Sequence, residues 1–180
     1  MINLLKIATA ITILFISMVS CNSKPSLQKY FVERETKDNF TIVDIPKSII
    51  GVSENELTDV QKKAYASIKK VQLLAYPMVT GNKEEYTSEK DMVKQLLSSE
   101  QYTTIARMSS NGGKVIVTYL GEEKAIDEMI VFGYKKDMGL GVARILGDDM
   151  NAEEIFTLYK AFESNNTADS KIKDYLQLFQ

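Results

Sequence analysis

From Tyr102 to Leu146 apolar residues recur at every second position, and turn residues break the run three times. No other stretch restricts the fold as much, because a period of two sends alternate side chains to opposite faces of a sheet. Residues 102–108 and 114–120 read as two strands joined through Asn111-Gly112-Gly113, a segment that tolerates the positive φ of a tight hairpin. Gly121-Glu122-Glu123-Lys124 turns the chain again, and Lys135-Lys136-Asp137-Met138-Gly139 separates strands over 125–134 and 140–146. Consecutive strands with short connections pair with their neighbours, so the segment predicts a four-strand antiparallel meander over about 102–147.

Elsewhere the period lengthens. Leu27, Tyr30, Phe31 and Arg34 read as a short helix capped by Ser26, and Phe40, Ile42, Val43 and Ile45 as a strand closed by Pro46. Ser53 and Glu56 have capping-box spacing, and Leu57, Val60, Ala64 and Ile68 continue as an amphipathic helix over 54–68. A strand follows from Val71 to near Tyr76. After the Gly81-Asn82 break, Ser88 and Asp91 predict a helix start, with Met92, Val93, Leu96 and Leu97 as its inner stripe. Asn151 opens a further helix with Glu154 at the capping-box position and Ile155, Leu158, Tyr159 and Phe162 inward. Beyond a polar linker, Ile172, Tyr175, Leu176 and Phe179 have the spacing of a terminal helix that docks on the body. The expected class is α+β: one largely antiparallel sheet, with helices packed mainly on one face. The expected organisation is a signal peptide over 1–20, a tether over 21–25, one domain over 26–162, and a linker with a C-terminal segment over 163–180.

Composition narrows the chemistry. The 180 residues carry 22 basic and 24 acidic side chains, a balance that lacks the basic face a nucleic-acid partner requires. The chain has no histidine, so Ser-His-Asp catalysis and histidine metal ligation are outside its repertoire. It has one cysteine, so no intrachain disulfide and no cysteine zinc cluster can form. No cofactor and no metal site are expected.

The first 21 residues differ from the rest. Lys6 supplies a positive charge, and an apolar run from Ile7 to Val19 is shorter than the ~20 residues that span a bilayer. Met18-Val19-Ser20-Cys21 resembles the end of a bacterial lipoprotein signal, with Met18 where leucine is usual. The resemblance implies lipid attachment at Cys21 and a membrane partner reached through that anchor. Asn22, in place of an aspartate, resembles an outer-membrane address. The lack of an acidic cluster over 22–29 points to a periplasm-facing protein.

The chain also resembles a family of small Bacteroidetes lipoproteins known as domain of unknown function 4252. The resemblance rests on Ser26-Leu27-Gln28-Lys29-Tyr30-Phe31, Phe40-Thr41-Ile42-Val43-Asp44-Ile45-Pro46, Val71-Gln72-Leu73-Leu74, the meander, and Ile145-Leu146-Gly147-Asp148, in that order over about 26–162. It implies an exported protein; some members are associated with gene neighbourhoods containing extracytoplasmic sigma factors. The family carries no established activity, so it assigns no residue a role.

Several constellations invite a chemical reading. Asp149, Asn151 and Glu153 copy the first ligand spacing of a calcium loop, but no glycine holds the sixth position and Lys160 holds the twelfth. Helix-start chemistry accounts for the same residues. Arg107 and Arg144, two of three arginines, are candidate binding residues for a carboxylate or phosphate; the competing reading is a solvated sheet face with Asp127 or Glu128 alongside. Asp44 is a candidate functional carboxylate or an outward strand residue. Ser67 and Lys70 have the spacing of a Ser/Lys nucleophile pair, without its companion motifs. The expected function is a non-catalytic binding module of the cell envelope, acting in homeostasis or signalling on an unidentified envelope protein or ligand. The alternative is a carboxylate-dependent periplasmic hydrolase.

Overall fold

The computed structural model describes residues 25–46, 55 and 57–164. The leader, Cys21, the Ser53/Glu56 pair and the C-terminal segment lie outside the described residues. The elements are α1 (Leu27–Arg34), β1 (Thr41–Pro46), α2 (Asp59–Ser67), β2 (Ile68–Pro77), α3 (Lys83–Leu97), β3 (Tyr102–Ser110), β4 (Gly113–Glu122), β5 (Ala125–Lys135), β6 (Gly139–Met150) and α4 (Ala152–Ser164). The six strands form one antiparallel sheet in the order β1-β2-β6-β5-β4-β3. The α+β class and the meander are thus as expected.

Turn chemistry sets the meander. Ser110 pairs with Gly113, leaving Asn111 and Gly112 as a two-residue loop at φ 48° and 80°. Gly139 closes the β5–β6 loop opposite Lys135 at φ 115°. There a Cβ would collide with the Tyr76 carbonyl oxygen, so only glycine fits.

The helices are capped locally. Ser26 Oγ accepts from Lys29 N at 3.3 Å, and Asn151 Oδ1 accepts from Glu153 N at 2.9 Å. Two starts differ from expectation. Helix α2 begins at Asp59 behind a capping box formed by Thr58 and Gln61. Helix α3 begins at Lys83, where Asn82 Oδ1 accepts from Glu85 N at 2.8 Å; this cap lies six residues before the expected one at Ser88. Met92, expected inside, is exposed, as is Tyr159 on α4.

The helices divide between the two faces of the sheet, where most were expected on one. On the first face, Leu27, Tyr30 and Phe31 of α1 and Tyr86, Val93, Leu96 and Leu97 of α3 pack on Leu74, Ile116, Ile130, Phe132 and Val142. On the second, Ala64 and Tyr65 of α2 and Ile155 and Leu158 of α4 pack on Met129, Ile126 and Met150. Helix α3 links β2 to the far edge strand β3, which is why it runs over the first face.

Candidate functional site: a polar row, two open surfaces and a strand edge

The cross-strand register places Asp44 of β1 opposite Gln72 of β2, and Gln72 opposite Arg144 of β6. On β5 Ile130 stands opposite Arg144, and Glu128, two residues along and diagonal to it, extends the polar row to a fourth strand of the first face. Arg144 is 2% exposed, and four hydrogen bonds hold its guanidinium. Nε donates to Glu128 Oε1 at 2.5 Å and Nη2 to Glu128 Oε2 at 3.2 Å. Nη1 donates to Gln28 Oε1 at 2.8 Å and to Gln72 Oε1 at 2.9 Å. The Phe31 ring lies 5.0 Å from the guanidinium carbon. The row therefore clamps α1 to the sheet. At its exposed end, hydrogen bonds from Lys70 Nζ (2.8 Å) and Gln72 Nε2 (2.7 Å) hold the Asp44 carboxyl below the usual carboxylate range.

Arg107 and Arg144 are not brought together. Arg107 is exposed on edge strand β3, donating to Thr104 Oγ1 at 3.3 Å. Three strand spacings, about 14 Å, separate β3 from β6. Ser67 and Lys70 are also split. The Ser67 hydroxyl donates to the Ala64 carbonyl at 2.8 Å, while Lys70 bonds Asp44. The acidic residues around Asn151 disperse as well: Asp148 pairs with Lys69, and Glu154 with Lys63 at 2.6 Å. Among the described residues no three carboxylates or cysteines form a group able to hold a metal ion.

A second buried pair was not foreseen. Arg34 Nε donates to Glu89 Oε2 at 3.0 Å, Lys37 Nζ reaches Glu89 Oε1 at 3.1 Å, and the Arg34 guanidinium sits 4.1 Å from the Tyr30 ring centre. Burial, and then the Glu89 carboxylate, push the Tyr30 phenol well above its ordinary range. Arg34 was on the inner face of the expected α1, which hinted at a buried partner. Nothing local pointed to Glu89, which is 55 residues away.

Among the described residues, further features bear on binding, beside a cleft of about 670 Å³ between α1 and the end of α3. A groove of about 460 Å³ between α1 and β1 is lined by Gln28, Glu35, Asp44 and Gln72, above the polar row. An apolar trough of about 590 Å³ lies on the second face, floored by Val131, Gly133, Gly141 and Ala143. The third is the outer edge of β3. Among the described residues this nine-residue strand pairs only with β4, and its residues from Thr103 to Ser110 are exposed apart from half-buried Ala106. A bulge between Thr104 and Ala106 leaves Ile105 without a cross-strand partner and 46% exposed.

No curated protein and no solved structure is detectably similar to the chain. One family model matches, over residues 30–158, which span the elements from α1 to the inner face of α4. The chain belongs to the family described as Domain of unknown function (DUF4252).

Proposed function

We propose that the chain is an exported lipoprotein, anchored through Cys21 in the outer membrane and facing the periplasm, and that its domain is a non-catalytic binding module of the cell envelope. The module acts in envelope homeostasis or signalling. It recognises an extended segment of an envelope protein by adding it as a seventh strand beside β3. The observation that carries this reading is the free outer edge of β3, nine residues long with Arg107 as its single charge. Folded proteins blunt such edges with lysine, proline, short strands or bulges; β3 carries one bulge, at Thr104–Ala106, but no lysine or proline and is nine residues long, and such edges are used for strand addition. The buried arginines support the same reading, since their donors are engaged inside the fold. The anchor rests on the leader and on a lone cysteine at its end.

The test is capture from cross-linked envelopes, comparing the natural chain with Ile105→Lys and Met108→Lys. Both side chains are exposed, so neither change should disturb the core. A partner lost with both variants supports strand addition; a partner retained by both contradicts it. The hydrolase alternative would draw on Asp44 and Glu35 in the α1–β1 groove. Turnover of an ester, peptide or glycan that Asp44→Asn abolishes would establish that alternative instead.

A further inference from the structure

Strand β2 ends opposite Gly139, so the loop into α3 leaves from the end of the sheet that also holds the β3–β4 turn and the β5–β6 loop. This topology gathers lysines that are far apart in the chain. Helix α3 contributes Lys83 and Lys90, about two turns apart, β4 contributes Lys114, and β5 and its loop contribute Lys135 and Lys136. All five line one cleft of about 270 Å³, and among the described residues no carboxylate lines it. Buried Tyr86 and half-buried Tyr134, whose ring centre lies 5.0 Å from that of Phe132, supply its apolar wall. The chain as a whole holds 22 basic and 24 acidic residues, so composition does not explain the gathering. Elsewhere lysines meet carboxylates of other elements, as in Lys63–Glu154, Lys69–Asp148 and Lys70–Asp44. In the cleft, Lys90 pairs with Asp91 at 3.4 Å and Lys135 with Asp137 at 3.1 Å. Lys83, Lys114 and Lys136 make no ion pair among the described residues. Lys83 also sits in the first turn of α3, where the helix dipole disfavours a cation.

We propose that this cleft binds a phosphomonoester group, free or carried by a lipid, through Lys83, Lys114 and Lys136. Field is the first argument. A cleft lined by one sign of charge against an apolar wall focuses its potential and concentrates counter-ions there. Charge is the second. Three ammonium groups without a carboxylate match an anion of more than one charge, and a phosphomonoester carries about −1.5 to −2 at pH 7 where a carboxylate carries a single charge. Size is the third. The volume lies just below the ~300–1,000 Å³ of pockets for drug-sized ligands, so it suits a phosphate-sized group rather than a large organic molecule. Donor chemistry is the fourth. Each ammonium is a compact charge with three rotatable donors on a flexible stem, and the three side chains are exposed, so they are free to turn onto one anion. Burial, and then the neighbouring Tyr134 and Asp137, raise the Tyr86 phenol, so it keeps its O–H as a further donor. A bound phosphate relieves the mutual repulsion of the lysines. This inference is independent of strand addition at β3.

The test is amine footprinting of the full-length protein in a neutral detergent, with acetylation of each lysine read by mass spectrometry. The probes are inorganic phosphate, against chloride at equal ionic strength, and phosphatidic acid in the micelle, against phosphatidylcholine. Acetylation of Lys83, Lys114 and Lys136 should slow several-fold. Lys62 on α2 and Lys124 in the β4–β5 turn are also exposed and should react as before. Protection by inorganic phosphate assigns a soluble phosphate compound, and protection by phosphatidic acid alone assigns a lipid headgroup; either supports the cleft. No protection by either probe, or equal slowing at Lys62 and Lys124, would overturn the proposal. The double variant Lys114→Gln with Lys136→Gln supplies a second reading. Both side chains are exposed, so the protein should melt within a few degrees of the natural chain while the protection of Lys83 is lost. Full protection of Lys83 in that variant would contradict the shared site. Ile105→Lys should leave the protection unchanged, which separates failure here from failure of the β3 reading.

Discussion

Arg144 Nε lies 2.5 Å from Glu128 Oε1, and both side chains are buried. Removing two charges from water is expensive, and the pair persists because four hydrogen bonds tie the guanidinium to acceptors on β5, β2 and α1. Glu128→Ala leaves an uncompensated buried guanidinium. The expected loss is about 3–5 kcal/mol, read from urea unfolding. The double variant Arg144→Met with Glu128→Leu should recover most of that loss, since apolar isosteres replace such pairs at little cost. A loss below about 1 kcal/mol for Glu128→Ala would show that the pair is hydrated rather than sealed.

Alkaline pH should unfold the chain through its tyrosines. Burial raises the phenols of Tyr30, Tyr76, Tyr86 and Tyr102 above their ordinary 10.0. A group whose folded pKa is raised contributes stability that is fully present below the unfolded value. That stability fades as pH climbs past 10 toward the folded value. Absorbance at 295 nm should therefore show at least four of the nine tyrosines ionising only with unfolding. Smooth titration of all nine in the folded protein would contradict this.

Gly139→Ala should be among the most damaging single substitutions. The added Cβ meets the Tyr76 backbone oxygen at a φ of 115°, so the β2–β6 pairing must open to admit it. The expected cost is about 3 kcal/mol or more. Gly112→Ala, also at positive φ but with nothing within 4 Å, should cost about 1 kcal/mol. Thermal melting of both variants checks the order.

These sites show what the sequence makes legible and what it hides. The meander is readable because period two and turn glycines are local signals, and Asn111-Gly112 sits in the loop they imply. Helix α3 is misread at its start because Ser88 and Asp91 imitate a capping box. The true cap, Asn82, sits beside Gly81 in what looks like a plain break, and the inner residue Glu89 is charged. Its burial follows from Arg34, a partner supplied by tertiary structure alone. The trough is hidden for a related reason. Alternation gives each strand two faces, but it does not say which part of the second face α2 and α4 cover.

Lipid attachment should make the mature protein partition into detergent, as several acyl chains anchor where one is marginal. Cys21→Ala should release it or stall its processing. Intact mass showing an unmodified Cys21 at the mature terminus would contradict the anchor.

Photo-cross-linking in living cells from position 105 on β3, with position 156 on α4 as the control, tests the binding module most directly. Ile105 and Phe156 are similarly exposed, at 46% and 55%, so accessibility does not separate them. The account predicts one envelope protein captured from position 105, through an extended segment, and absent from position 156. Identical capture from both positions, or none from position 105, would contradict it.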